Sequence, residues 1–298
     1  MSNRWWTYQK ERFPLAAHAP LILVFSYSAL SYSSMLRGQH RLPTYIPALV
    51  AFITAVLVFL QLRIADEFKD FEDDSRYRRY RPVPRGLIRL HELGVVFAVA
   101  AVIQISLALL LHPPLVFLLL TVWVYLALMS KEFFIRDWLK ARPIHYLWSH
   151  MFIMPLVDFY VTGCDWMVAR VQAPPGIWWF LIISFFNGIN LEFGRKIRAP
   201  TDEEVGVDTY TALWGRERAV QVWLAAQVCA AICAIKAASI IHFTAPATAV
   251  LITMFTLSCF TAAKFVRNPV SNNAKSIELF SGLWTLAMYL TLGLMPRI

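Results

Sequence analysis

Residues 46–74 read IPALVAFITAVLVFLQLRIADEFKDFEDD, an apolar stretch that runs without interruption into a dense cluster of acids. An α-helix needs about 20 apolar residues to cross a hydrocarbon core, and 46–65 meets that length. Eight further apolar windows follow the same pattern, at about 15–35, 93–111, 114–134, 145–162, 176–194, 219–241, 245–266 and 277–295. Composition agrees. Of 298 residues, 58% are hydrophobic and only 16% charged, with a mean hydropathy of +0.52, too little charge to cover a soluble domain of this size. Backbone groups inside lipid must bond internally, and the windows lack the alternation of a barrel strand. The expectation is an all-α integral membrane protein, a bundle of nine transmembrane helices in one domain spanning 1–298.

Net charge is +9, which raises nucleic acid as a partner, but the distribution excludes it. With the N-terminus inside, 23 of the 28 Lys and Arg residues fall on the internal side, leaving Arg37, Arg41, Arg170, Lys236 and Arg297 outside. That is the positive-inside pattern, and it predicts a cytoplasmic N-terminus in the cell inner membrane, with lipid as the surrounding partner. The opening residues, with Trp5, Trp6, Tyr8, Lys10 and Arg12, read as an interfacial anchor and not as a cleavable signal. Cys229 and Cys233 stand four apart in an apolar span, a spacing that suits packing.

The acids carry the functional information. Six of the 19 lie within Asp66–Asp74, and another six are Glu192, Asp202, Glu203, Glu204, Asp208 and Glu217. Both clusters follow an even-numbered span, so both are expected on the internal side, facing one cavity. At about 100° per residue, Asp66, Glu67, Asp70, Asp73 and Asp74 share one third of a helix circumference. Like charges stacked in this way repel one another, and carboxylates converging near a membrane suit a bound cation. The donors are all oxygen, which favours Mg2+ over zinc. The competing reading is a solvated loop whose acids balance Arg76, Arg78, Arg79, Arg81 and Arg85. Those arginines flank a stiff turn, Arg81-Pro82-Val83-Pro84-Arg85-Gly86, and guanidinium forks suit phosphate oxygens. Acids with arginines, occurring twice, describe a metal–diphosphate clamp, and the apolar bundle implies a lipid-soluble tail on the phosphate.

Local structure offers alternatives for some of these residues. Thr201 to Glu204 also reads as a capping box, and Asp208 as a cap for the helix entering span seven. Lys131 and Arg136 read equally as internal anchors. Asp158 is an isolated acid in a span, Asn187 and Asn190 either line a cavity or bond a neighbouring helix, and His145 and His150 have no partner at ligand spacing.

These residues resemble the UbiA superfamily of intramembrane prenyltransferases. Its first motif, Asn-Asp-x-x-Asp-x-x-x-Asp, is matched in spacing by Asp66-Glu67-x-x-Asp70-x-x-x-Asp74, and the family's Arg-Pro-hydrophobic-Pro-x-Gly follows in register at Arg81–Gly86. The second motif is rearranged. Gly206, Thr209 and Gly215 keep its spacing and Asp202 falls on its second aspartate, but Arg198 stands where the first belongs, with Glu192 as a substitute. The family's tyrosine-to-lysine segment corresponds to Tyr125 and Lys131. The resemblance implies nine helices around a central cavity, Mg2+ bridging both acidic motifs, and a prenyl diphosphate substrate. It implies Asp66, Glu67, Asp70, Asp74, Glu192, Asp202 and Asp208 as metal ligands, with Arg81, Arg195, Lys196 and Lys131 as diphosphate contacts. Three classes of function remain: transfer of the prenyl group to a lipophilic acceptor, cyclisation of the prenyl cation by a terpene cyclase of the same superfamily, and a non-enzymatic transporter or scaffold.

Overall fold

The computed structural model describes residues 3–39 and 41–298, and among these there are helices and turns but no strand. In chain order the helices are α1 (Arg4–Arg12), α2 (Leu15–Leu36), α3 (Tyr45–Lys69), α4 (Phe71–Tyr77), α5 (Leu90–Leu111), α6 (Leu115–Ser130), α7 (Arg136–Lys140), α8 (Pro143–Met151), α9 (Ile153–Trp166), α10 (Ile177–Lys196), α11 (Tyr210–Trp214), α12 (Arg216–Ile240), α13 (Thr244–Arg267) and α14 (Ser271–Gly293). Seven are long and apolar enough to cross a membrane: α2, α3, α5, α10, α12, α13 and α14 with the turn that follows it. The chain is therefore a multi-pass integral membrane protein of the all-α class.

Two windows read from the sequence as spans take a different form. The window 114–134 gives α6, which ends at Ser130 after 16 residues because Glu132, Phe133 and Phe134 all turn to positive φ. The window 145–162 is broken at Phe152 into α8 and α9. Pro155 supplies the reason: it has no N–H to return to the carbonyl of Met151, so a continuous helix would leave that carbonyl without its bond.

Two compact units make up the chain, residues Met1–Leu30 with Pro43–Gln172, and residues Ser31–Leu42 with Ala173–Ile298. In the first, α3 packs against α5 and α9, and α6 against α5 and α9. Within it buried Gln104 bonds on both sides, donating to the Thr54 carbonyl at 3.3 Å and accepting from Trp123 Nε1 at 3.0 Å. Tyr8 of α1 joins Ile64, Val83, Ile88 and Leu93 in one buried cluster, which fastens both α1 and the Arg81–Gly86 turn to the C-terminal part of α3. That attachment brings the arginines of two distant segments to the acids.

In the second unit α10 packs on α12 and α14, and α13 packs on the same two. Contact is closest at Gly194, where a Cβ would lie 2.1 Å from Ser281 Oγ. Around it Asn190 donates to the Ser281 carbonyl at 3.0 Å, Gln227 donates to Asn190 Oδ1 at 3.0 Å, and Trp223 Nε1 donates to Ser281 Oγ at 2.8 Å. In lipid the apolar effect gives little net attraction between helices, so small residues and interhelical hydrogen bonds of about 0.6 kcal/mol each hold such contacts. Asn190 thus serves helix association, one of the two roles its position in the sequence allows.

Candidate active site

The first acidic cluster sits where α3 gives way to α4. The Asp70 amide donates to the Asp66 carbonyl at 2.9 Å and the Asp74 amide to the Asp70 carbonyl at 2.8 Å, so helical bonding continues across the junction. The carboxylates nevertheless meet different partners. Glu67, 2% exposed, pairs with Arg12 of α1. Asp74, also 2% exposed, is gripped on both oxygens, by Arg78 Nη2 at 2.6 Å and Arg81 Nη1 at 2.6 Å. Asp73 faces Lys140 at 3.3 Å and Arg136 at 3.6 Å. Asp66 has looser neighbours, Lys69 at 3.6 Å and Arg63 at 3.7 Å.

Among the described residues Asp70 and exposed Glu72 make no side-chain hydrogen bond or ion pair, and of these two only Asp70 is partly buried. Burial pushes its pKa up; Lys69 and Arg78 oppose the shift, while Asp66 and Asp74 add to it. The turn carrying Arg81 is fixed by its own backbone: Arg85 N donates to Arg81 O at 3.0 Å and Leu87 N to Pro82 O at 2.9 Å. Gly86 closes it at φ +77°, a conformation that disfavours any side chain.

This donor set fits a hard divalent cation. Among the described residues Asp70 makes no ion pair within 4 Å, unlike Asp66, Glu67, Asp73 and Asp74, and Asp66 one turn away is only loosely paired. Among the described residues no three of His, Cys, Asp and Glu stand together as a ready cage. That arrangement suits Mg2+, which is commonly bound through one or two carboxylates and draws its remaining ligands from water and substrate phosphate.

Sequence reasoning missed a buried network next to this cluster. Lys69 Nζ donates to Tyr146 OH at 2.9 Å and lies 3.3 Å from Glu132 Oε1. Tyr146 OH donates to the same Glu132 oxygen at 3.2 Å, while His150 Nε2 is 3.3 Å from Glu132 Oε2. Burial would raise the Glu132 pKa, but the hydrogen bond from His150 and the charge of Lys69 outweigh it and bring it down to about 2. Glu132, Phe133 and Phe134 have φ of 49°, 52° and 60° in succession. For residues other than glycine each left-handed turn costs about 1–2 kcal/mol. Read from the sequence, His150 has no partner at ligand spacing; Tyr146, and Glu132 14 residues before Tyr146 across a strained turn, come to His150 only in the fold. Of the family's tyrosine–lysine segment, Tyr125 OH donates to the Ser149 carbonyl at 2.6 Å, and Lys131 lines an apolar cavity of about 560 Å3 with Phe97, Trp123 and Phe134.

In the second unit four of the acids are answered, while Asp208, Glu217 and Glu278 are exposed. Glu192 pairs with Arg195 at 2.6 Å and Lys196 at 2.9 Å along α10. Asp202 accepts from Ser271 Oγ at 2.7 Å, and Glu204 pairs with Arg198 at 3.1 Å. Glu203 accepts from the hydroxyls of Thr209 and Thr211, each at 2.7 Å. Thr209, and not Asp208, caps the following helix, its Oγ1 accepting from the Ala212 amide at 3.1 Å. Asp208 is exposed, and the short 3-10 turn Pro200–Asp202 ends before extended Glu203, so the capping box expected over Thr201–Glu204 does not form. A cavity of about 520 Å3 is lined by Arg195, Arg198, Lys275, Asp202, Glu203 and Glu278, among others.

The sequence profile of the UbiA prenyltransferase family matches residues 12–286. No curated protein matches the chain. Among solved structures, the fold is similar to the apo structure of a UbiA homologue from Aeropyrum pernix K1, at 18% identity over 93% of this chain and 95% of that one, with a TM-score of 0.67. It is similar also to a digeranylgeranylglyceryl phosphate synthase described in membranes, at 14% identity over 99% of both chains with a TM-score of 0.63. A third similar structure is a UbiA homologue from Archaeoglobus fulgidus bound to DMAPP and Mg2+, at 10% identity over 94% of this chain and 99% of that one, with a TM-score of 0.54. At these identities the likeness is one of fold, whereas the profile spans nearly the whole sequence and includes both acidic clusters: the chain belongs to the UbiA prenyltransferase family.

Proposed function

We propose that this protein is a Mg2+-dependent intramembrane enzyme that ionises an allylic prenyl diphosphate and transfers the prenyl group to an aromatic, quinone-precursor or other lipophilic acceptor. The observation that carries the reading is Asp70, a partly buried carboxylate without an ion pair or hydrogen bond among the described residues, one helical turn from both Asp66 and the arginine-held Asp74. Family membership supports it, as do the DMAPP and Mg2+ bound to the Archaeoglobus fulgidus homologue.

In the reaction the bond between C1 of the prenyl chain and the bridging oxygen breaks, and diphosphate leaves with the electron pair. The allylic cation bonds to the acceptor, which gives up a proton. Mg2+ supplies the positive charge that the leaving diphosphate requires. On the protein side, Asp70 and Asp66 are the principal metal ligands. Glu67 and Asp74 are further ligands whose guanidinium partners, Arg12, Arg78 and Arg81, suit phosphate oxygens equally well. In the second unit Asp202 is the first candidate acid, with Glu192 and Asp208 after it, and Arg195 and Lys196 are phosphate contacts; Lys131 is a further one. The residues 1–298 act as one domain with nine spans, and the charge distribution supports a cytoplasmic N-terminus and both acidic clusters on the cytoplasmic side of the cell inner membrane.

Purified protein supplied with Mg2+ and geranyl, farnesyl or geranylgeranyl diphosphate tests the reading by mass spectrometry of the organic extract. With phenolic and quinone-precursor acceptors the expected product is a prenylated acceptor; without them, only slow release of the prenyl alcohol. Rapid release of a single cyclic terpene without acceptor would replace transfer by cyclisation. Failure to consume any diphosphate in either arm would contradict both.

A further inference from the structure

Lys69 adjoins the two carboxylates assigned above to the metal, and an ammonium there competes with a divalent ion for the same oxygens. Its Nζ lies 3.6 Å from Asp66 Oδ1, and Asp70 is the next residue in the chain. Two contacts are closer and draw it elsewhere, Tyr146 OH at 2.9 Å and Glu132 Oε1 at 3.3 Å. These two groups also bond each other at 3.2 Å, so they grip the lysine as one unit. The grip is held from behind: His150 faces the second Glu132 oxygen at 3.3 Å, its ring stacks on that of Tyr146 with centroids 3.9 Å apart, and its Nδ1 is 2.8 Å from the Tyr146 carbonyl. Glu132 is 4% exposed and reaches this place on three successive non-glycine residues at positive φ. Such conformations persist where the surroundings over-determine them, and they gather at functional sites.

We propose that Glu132 and Tyr146 are positioning residues that hold the Lys69 ammonium away from the Asp66 and Asp70 carboxylates, leaving those oxygens to the metal ion. The inference rests on the reading of Asp66 and Asp70 as metal ligands. Without Glu132, Lys69 loses its strongest competing partner and settles on Asp66, where it blocks the ion. Removing the lysine charge as well clears the site again. A role limited to anchoring the turn after α6 predicts no such recovery.

The test measures Mn2+ binding to the full-length protein by electron paramagnetic resonance in the presence of inorganic diphosphate, alongside the Mg2+ concentration for half-maximal turnover. Glu132→Gln is expected to weaken Mn2+ binding about tenfold and to raise the Mg2+ requirement by a similar factor, with kcat at saturating Mg2+ changed less than threefold. Glu132→Gln combined with Lys69→Met should return Mn2+ affinity to within about threefold of the parent protein. Tyr146→Phe, which keeps the stacking on His150 but loses the hydroxyl, should weaken binding about threefold and carries the test if Glu132→Gln does not fold. Parent-like affinity in both Glu132→Gln and Tyr146→Phe, or a double variant as weak as Glu132→Gln alone, would overturn the inference while leaving the metal site standing. Mn2+ binding that is unchanged in Asp70→Asn would overturn the metal reading and the inference together.

Discussion

The two acidic clusters contain six acids each but differ in how their charge is answered. In the first, neither partly buried Asp70 nor exposed Glu72 makes an ion pair or side-chain hydrogen bond among the described residues, while Glu67 and Asp74 are locked to arginines. In the second, Glu192, Asp202, Glu203 and Glu204 are each satisfied by cations or hydroxyls of their own unit, and Asp208 and Glu217 are exposed. Equal counts of acids therefore do not make equal sites. A carboxylate held partly out of water with no ion pair of its own is costly to keep, and it is the group that gains most from a metal ion. A carboxylate already bonded to a hydroxyl gains less.

The largest effect expected from this contrast is at Asp70. Asp70→Asn should lower prenyl diphosphate turnover by about a thousandfold, the scale at which losing a group that stabilises transition-state charge is felt. It should leave the apoprotein as stable as before or slightly more so, because a partly buried charge that makes no ion pair is removed. Thermal unfolding in detergent with and without Mg2+ checks both halves. Arg81→Ala tests the locked part of the cluster. It strips one partner from buried Asp74, and loss of stability on the order of 3 kcal/mol is expected, as for other broken buried pairs. Little change in the melting temperature would mean that Arg78 alone satisfies Asp74.

Acid titration sharpens the same contrast. Glu132 has its pKa lowered to about 2 from 4.5, so the stability it contributes is fully present above pH 4.5 and is lost as pH falls through about 2. At about 1.4 kcal/mol per unit, that contribution is roughly 3 kcal/mol. Glu132→Gln should flatten this part of the stability–pH curve, as measured by urea unfolding between those values. An unchanged curve would show that the network around Lys69 is not what holds the charge. Two smaller effects belong to the second cluster. Asp202→Asn should reduce turnover about tenfold, since the amide still accepts from Ser271 Oγ but no longer carries charge. Asp208→Asn, exposed and not a helix cap, should stay within about twofold of the parent. A loss at Asp208 as large as that at Asp70 would break the comparison outright.

Much of the fold is legible in the sequence because lipid imposes a simple rule, a long apolar helix or none. Six of the seven helices long enough to span agree with their apolar windows within four residues at each end, and α14 begins at Ser271, six residues before its window. The two windows that behave differently turn on local chemistry. Pro155 breaks one at Phe152, and the positive-φ residues after Lys131 shorten the other, a feature with no signature in Glu132-Phe133-Phe134. At the site, the spacing of Asp66, Glu67, Asp70 and Asp74 and the turn Arg81–Gly86 were readable, because helical period and proline–glycine chemistry are local. Which acid would be left unpaired was not. Asp70 stands out only after Arg12 has reached Glu67 across 55 positions and Glu132 has reached Lys69 across a buried network, and pairings at such separations follow from packing.

The central claim is that Asp70 uses a metal ion to offset the charge of a departing diphosphate. Release of inorganic diphosphate from geranylgeranyl, farnesyl and geranyl diphosphate by purified protein, titrated with Mg2+ after EDTA treatment, tests it most directly. Turnover should be absent in EDTA, restored by Mg2+ in the parent protein, and restored by no Mg2+ concentration in Asp70→Asn. Undiminished diphosphate release in EDTA, or an Asp70→Asn variant that responds to Mg2+ as the parent does, would contradict the account.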